Sequence, residues 1–278
     1  MAEHTIRVGD ASITSVTDGH IHFQTSEFFP SIEPSEWDPY RDQLTDGELI
    51  RMNVGSFVVN LGDHTCLIDT GLGEGDHPFD NSEWGLLAAD MESKGIAKED
   101  VDTVVISHLH RDHVGWNTVN VDGEVVPYFP NARYLVPKAD WDTFTRRAGM
   151  SMFAYVREKV MSLMDAGLLD LIEGEQSIAD HLTALPTPGH TPGHTSVLIS
   201  SAGESAVVLG DAAHVPVQAH HTDWSPRADT NAKLSRASRA ELFDRMERDH
   251  SLVVSGHFPT PGFGRLVRVE GRRYWQAL

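Results

Sequence analysis

One cysteine in 278 residues, Cys66, leaves no partner for an intrachain disulfide, so the fold must be held by its core alone. Positive charge is also scarce. Lysine and arginine number 22 against 41 acidic residues, a formal net charge of −19. A chain so acidic lacks the clustered cations that grip a phosphate backbone, which excludes nucleic acid as the partner. No apolar run approaches the roughly 18 residues of a membrane span, and Met1-Ala2-Glu3-His4-Thr5 passes directly into an Ile6-Arg7-Val8 strand without a basic, apolar leader. These absences point to a cytoplasmic chain that acts on a small molecule. At 40% hydrophobic residues it can bury one large core, so residues 1–278 are expected to form a single domain.

What the chain has in excess is histidine, 16 in all, and the densest group follows a β-branched run. Val104-Val105-Ile106-Ser107 breaks into His108-Leu109-His110-Arg111-Asp112-His113. A strand ending at Ile106 delivers His108, His110, Asp112 and His113 to one point at a sheet edge, with Leu109 and Arg111 turned away. Imidazole and carboxylate together suit zinc, with manganese, cobalt or iron as substitutes. Four neighbouring residues cannot enclose an ion, so further ligands must lie downstream. His194 in Thr187-Pro-Gly-His-Thr-Pro-Gly-His194, Asp211 after Ala206-Val-Val-Leu-Gly210, and His257 after Leu252-Val-Val-Ser-Gly256 share one layout. Each adjoins a strand and follows a glycine that lets backbone approach closely. Asp69, in Leu67-Ile68-Asp69-Thr70-Gly71, also stands at a strand end.

In this order, Asp69-Thr70-Gly71, His108-x-His110-x-Asp112-His113, His194, Asp211 and His257, the signatures resemble those of the metallo-β-lactamase-fold hydrolase superfamily. The resemblance implies an αββα sandwich and two divalent ions, most simply zinc. The first would be held by His108, His110 and His194, the second by Asp112, His113 and His257, with Asp211 bridging. Asp69 would orient a ligand histidine, and His190 would be structural. Cysteine is absent at position 211, which disfavours an antibiotic-hydrolysing β-lactamase; His110 is not the glutamate of flavo-diiron oxidoreductases; and only 21 residues follow His257, too few for the helical domain of glyoxalase-II-type thioesterases. Ser255-Gly-His257-Phe-Pro-Thr-Pro-Gly-Phe-Gly-Arg265 and His214 are similar to methyl-parathion-hydrolase-like members, whereas acyl-homoserine-lactone lactonases typically carry tyrosine at the position of His214.

The resulting expectation is a dinuclear-metal hydrolase that cleaves an aryl ester, lactone or phosphotriester with a hydroxide shared by the two ions. Asp112 would orient that hydroxide and His214 would serve the leaving group. An N-acyl-homoserine-lactone lactonase is the near alternative; a mononuclear-iron persulfide dioxygenase is the redox alternative. Segments 20–50 and 141–164 concentrate aromatics. Phe28, Phe29, Trp141 and Phe153, with Trp116 close to the metal motif, are candidate pocket walls, the competing readings being core packing or a homodimer contact. Periodicity predicts strands at 5–8, 11–18, 53–61, 65–69, 103–107, 133–136, 182–185, 196–200, 206–210 and 252–254. Helices are expected at 82–94, capped by Asn81 or Ser82, from about 138, at 152–165 and at 231–248.

Overall fold

A computed structural model describes residues 4–75, 77, 79 and 82–278. The β-branched runs form two seven-stranded sheets, one from each half of the chain. The first takes strands Thr5–Val8, Ala11–Gln24, Leu49–Asn60, Thr65–Ile68, Thr103–Val105, Arg133–Pro137 and Leu169–Ile172 in that spatial order. The second takes Gln176–Ala179, Leu182–Pro186, Thr195–Ser201, Glu204–Val208, Leu252–Val254, Phe263–Val269 and Arg272–Ala277. In each sheet an antiparallel run gives way to a parallel pairing: Thr65–Ile68 with Thr103–Val105, and Glu204–Val208 with Leu252–Val254. The carboxyl ends of these four parallel strands carry Asp69, the histidine motif, Asp211 and His257, where ligand sites of parallel α/β sheets gather.

Four layers follow from where the apolar residues point. Between the sheets lie Ile13, Phe57, Val59, Ile68, Val105, Val197, Ile199, Val208 and Val254. The outer face of the first sheet is covered by helical segments carrying Leu87, Met91, Phe144, Val160 and Leu163. Helix Ala232–Asp249 covers the second through Leu242, Phe243 and Met246. This is the αββα sandwich that the motif order implied. Asn231 caps that helix, its side chain accepting the Leu234 N–H at 3.1 Å.

Boundaries moved where local propensity and tertiary packing disagree. The strand expected at 11–18 runs on to Gln24, and the one expected from 53 begins at Leu49, because beyond a register shift between Thr17 and His20 the two go on pairing from His20–Asn53 to Gln24–Leu49. The helix expected at 82–94 begins at Leu87; Ser82 lies outside it, and Asn81 lies outside the described residues. The stretch 151–165 is helical in pieces, with a π turn at Arg157–Met161.

Candidate metal centre

Strand Thr103–Val105 sits between two parallel neighbours, so the chain leaves it inside the molecule. The loop that follows turns His108 and His110 inward. The short helix Arg111–Val114 then brings Asp112 and His113 back to the same place. Leu109 is fully buried on the far side and Arg111 lies over the Tyr155 ring, 5.2 Å from its centroid, so both point away as the alternation predicted.

Two groups of donor atoms converge there. In the first, His110 Nδ1 lies 3.0 Å from His108 Nε2 and 2.9 Å from His190 Nε2, and His190 Nε2 is 3.0 Å from Asp211 Oδ2. In the second, His113 Nε2 and His257 Nε2 are 3.3 and 3.0 Å from Asp211 Oδ1, and each is 3.6 Å from Asp112 Oδ2. Asp211 thus turns one carboxylate oxygen to each group. His214 Nε2 stands 3.1 Å from Asp211 Oδ2, its ring stacked on His257 at 5.5 Å.

The outer nitrogens of these rings settle which ones are free. An ionised carboxylate and a carbonyl only accept hydrogen bonds. His113 Nδ1 therefore donates to Asp69 Oδ2 at 2.8 Å, His190 Nδ1 to Asp229 Oδ1 at 3.1 Å, and His257 Nδ1 to the Asn53 carbonyl at 2.8 Å. Ser107 Oγ donates to Asp69 Oδ2 at 2.8 Å, which leaves it to accept from His108 Nδ1 at 3.0 Å. Each of these four rings therefore turns its Nε2 to the centre, the nitrogen that offers a lone pair when the ring is neutral. His113 Nε2 and Asp211 Oδ1 are buried without a hydrogen-bond partner. Acceptors gathered across about 3 Å repel unless positive charge lies among them, either a proton on Nε2 or a metal ion. The donor set of imidazole and carboxylate therefore fits divalent metal ions, with each ring held from behind as metal ligands are.

The structure corrects the reading of the Pro-Gly turn. His190, expected to be structural, is in the first donor group, and His194, expected to be a ligand, is not. His194 Nε2 accepts the Asp211 backbone N–H at 2.8 Å, while its Nδ1 lies 2.8 Å from Thr187 Oγ1 and 3.1 Å from the Thr187 carbonyl. No lone pair is left for a metal. Its role is to hold Asp211 in place. Gly210, at φ +54, is required there, because a Cβ would lie 2.7 Å from His194 Nε2. Asp69 also holds a left-handed φ, +60, a strained conformation sustained by its bonds to the Ser107 N–H and hydroxyl and to His113.

Three buried carboxylates were not singled out in the sequence. Asp140 clips the two halves of the site together, accepting the Leu109 N–H at 3.0 Å, the Gly193 N–H at 2.6 Å and the Thr191 hydroxyl at 2.8 Å. Asp18 accepts the Leu72, Gly73 and Leu87 N–H groups and the Trp116 indole. Asp229 lies between His190 and the buried Arg239. None belongs to a compact motif. The only sequence signal was an acid within an otherwise apolar or turn-forming stretch.

Burial dominates the electrostatics. It pushes the His110 imidazolium down to about 3 and that of His214 to about 4, so both rings are neutral at pH 7. For His190 burial acts the same way but is outweighed by Asp211 and Asp229, which lift it to about 9.

A cavity of about 100 Å³ opens onto the centre, lined by Ile21, Phe23, Phe28, Met52, Phe79 and Ala228. Among the expected wall residues, only Phe28 is there, its ring 5.2 Å from that of His214. Trp116 is buried in the first-sheet core with its indole bonded to Asp18. Phe29 is sealed between Trp37 and Trp224. Trp141 and Phe153 pack on the first-sheet core, Phe153 against Phe144. Segment 141–164 thus backs the motif loop instead of covering the metals, with the Tyr155 hydroxyl bonded to the Leu109 carbonyl at 2.7 Å. Segment 20–50 does contribute to the wall, through Ile21 and Phe23 in the extension of the long strand, where they pair with Met52 and Ile50.

The Metallo-beta-lactamase superfamily model matches residues 50–257, and the chain belongs to that superfamily. Its centre is that of a metal-dependent hydrolase. An N-acyl homoserine lactonase of Bacillus cereus is 25% identical over 230 residues, 77% of this chain and 84% of that one. The N-acyl homoserine lactonase AttM of Azorhizobium caulinodans is 27% identical over 185 residues, 62% and 63% of the two chains. Among solved structures, hydrolase AbOPH superposes with a TM-score of 0.85 at 24% identity, covering 99% of this chain and 97% of that one. AidC, a dizinc quorum-quenching lactonase in complex with a product, gives 0.82 at 23%, covering 99% and 96%.

Proposed function

We propose that the protein is a dizinc hydrolase that opens lactones, N-acyl homoserine lactones among them. The observation that carries the reading is the split of Asp211 between two groups of imidazole nitrogens at the floor of an aromatic cavity. The lactonase relatives support the choice of ester, and zinc is supported by the nitrogen-rich donor set. His108, His110, His190 and Asp211 would hold one ion, and Asp112, His113, His257 and Asp211 the other. Bound there, the pair would bring the pKa of a shared water toward about 7 and polarise the scissile carbonyl.

The remaining work falls to the chain itself. Asp69, Asp229 and the Asn53 carbonyl hold Nδ1 of His113, His190 and His257 as the donor, so that the rings are already oriented with Nε2 toward the centre and an ion need only displace the Nε2 proton. The aromatic wall of Phe23, Phe28 and Phe79 excludes water and packs an apolar substrate. Phe28 and Asp211 together hold His214 at the cavity side of the centre, where its Nε2 can hydrogen-bond a departing alkoxide. The single buried, unpaired Cys66 suits a reducing cytoplasm, and among the described residues no helix is long and apolar enough to cross a membrane.

The test is a panel of N-acyl homoserine lactones, aryl esters and phosphotriesters assayed with zinc-replete wild type and Asp211→Asn. Lactone opening should lead the panel, and the variant should lose at least about 10³ in kcat, having weakened both donor groups at once. Faster turnover of phosphotriesters than of any lactone would sink the lactone reading and leave the hydrolase standing.

A further inference from the structure

A cation stands against the cavity wall. Phe23 stacks on Phe28 at 4.9 Å and meets Phe79 edge-on at 5.8 Å. The guanidinium carbon of Arg227 lies 5.8 Å from the Phe23 ring centroid. The backbone fixes its base: the Arg227 N–H donates to the Phe28 carbonyl at 2.8 Å, and the next residue, Ala228, lines the cavity. Its side chain is exposed, and among the described residues no carboxylate lies within ion-pair distance of it. In a chain of net charge −19, a guanidinium one residue from the cavity lining and without an acid partner among the described residues is an open set of hydrogen-bond donors. Arginine stacked on an aromatic face keeps its edge N–H groups free to bind an acceptor.

We propose that Arg227 determines substrate specificity by binding an oxygen acceptor, an amide carbonyl or a carboxylate, carried on the part of the substrate that projects from the cavity. The scissile group sits on the donor cluster, apolar atoms pack on Phe23, Phe28 and Phe79, and the acceptor reaches the guanidinium edge. The inference rests on the hydrolase reading and narrows it: the preferred esters are those with a polar acceptor beyond an apolar portion.

The experiment compares wild type, Arg227→Met and Arg227→Lys on two matched pairs. The first is N-hexanoyl-homoserine lactone against γ-decalactone, which has a hydrocarbon tail and no amide. The second is p-nitrophenyl hemisuccinate against p-nitrophenyl butyrate. Arg227→Met keeps the apolar stem over Phe23, so a purely structural role would leave each ratio of kcat/KM where it was. We expect the ratio for at least one pair to fall about tenfold, through KM, with Arg227→Lys intermediate. A fall in the first pair identifies the amide carbonyl as the acceptor. A fall in the second that weakens with added salt identifies the carboxylate. Equal ratios in all three proteins overturn the proposal. Turnover of both esters with no turnover of either lactone by wild type overturns the lactone reading alone, and the ester pair still decides Arg227.

Discussion

Two histidines four residues apart in one Pro-Gly turn have opposite jobs, and what separates them is the partner of a single nitrogen. His190 Nε2 faces three other donors, whereas His194 Nε2 is already occupied by the Asp211 N–H. In the sequence the two look alike, each following Pro-Gly, and spacing alone does not say which ring turns inward. The strand after the turn begins at Thr195, which commits His194 to the packed side of the sheet beside Thr187. His190 remains in the loop and is free to reach the site. His190→Ala should therefore lower bound zinc from about two per chain toward one and cost at least about 10² in kcat. His194→Ala should keep about two ions and lose stability instead, about 2 kcal/mol from the unsatisfied Asp211 N–H and the space left behind. Metal analysis of the two variants decides the matter; zinc lost from His194→Ala and kept in His190→Ala would reverse the assignment.

At the scale of elements, the readable parts were those where one physical rule acts alone. The β-branched strands that enter the site and the capped helix Ala232–Asp249 obeyed local rules and stand close to where periodicity put them. The hairpins at Thr118–Val121 with Glu124–Pro127 and at Phe263–Val269 with Arg272–Ala277 did not stand out, because the first is four residues a side and exposes Val121 and Val125, and the second is interrupted by Arg265, Arg268, Arg272 and Arg273. Asp122-Gly123 and Glu270-Gly271 nevertheless hold the two positive φ values of a tight hairpin turn, and Asp-Gly was a usable signal. The aromatic content of 20–50 and 141–164 could not assign a face, since a wall residue and a core residue have the same composition. Trp116 shows why: adjacency to a metal motif placed it near the ligands in sequence, but the short helix Arg111–Val114 turns the chain so that its indole meets Asp18. Asp18 is the tie between elements. Burial pushes its carboxyl up to about 6, still ionised at pH 7, and four N–H donors from three segments converge on it. In Asp18→Asn the amide NH2 must face two of those donors whichever way it is turned. The variant should lose about 3 kcal/mol, and its melting temperature should fall by about 10 °C with metal content retained. An unchanged melting temperature would mean that these four hydrogen bonds do not tie the elements together.

For the molecule as a whole, the centre is the place where two half-molecules meet. Asp69 and residues 107–113 come from the first sheet, and His190, Asp211 and His257 from the second. The halves also share the inter-sheet core and the Asp140 clip, so the fold does not depend on the ions alone. Yet six imidazoles and two carboxylates are gathered there, His214 among them, with His113 Nε2 and Asp211 Oδ1 buried and without a hydrogen-bond partner, and the unfolded chain relieves that crowding. Ions that bind only the folded arrangement stabilise it by RT ln(1 + [L]/Kd), about 4 kcal/mol per site at a thousandfold excess over Kd. At about 2–4 °C per kcal/mol for a chain of this size, chelation should lower the melting temperature by at least about 10 °C, and zinc should restore it. Asp211→Asn should show a much smaller shift in the same calorimetric comparison, since it weakens both donor groups at once. The contrast between the two proteins carries the argument: an equal shift on chelation would place the stabilising ions elsewhere, and no shift in wild type would mean that the Asp140 clip and the inter-sheet core hold the donor cluster together unaided.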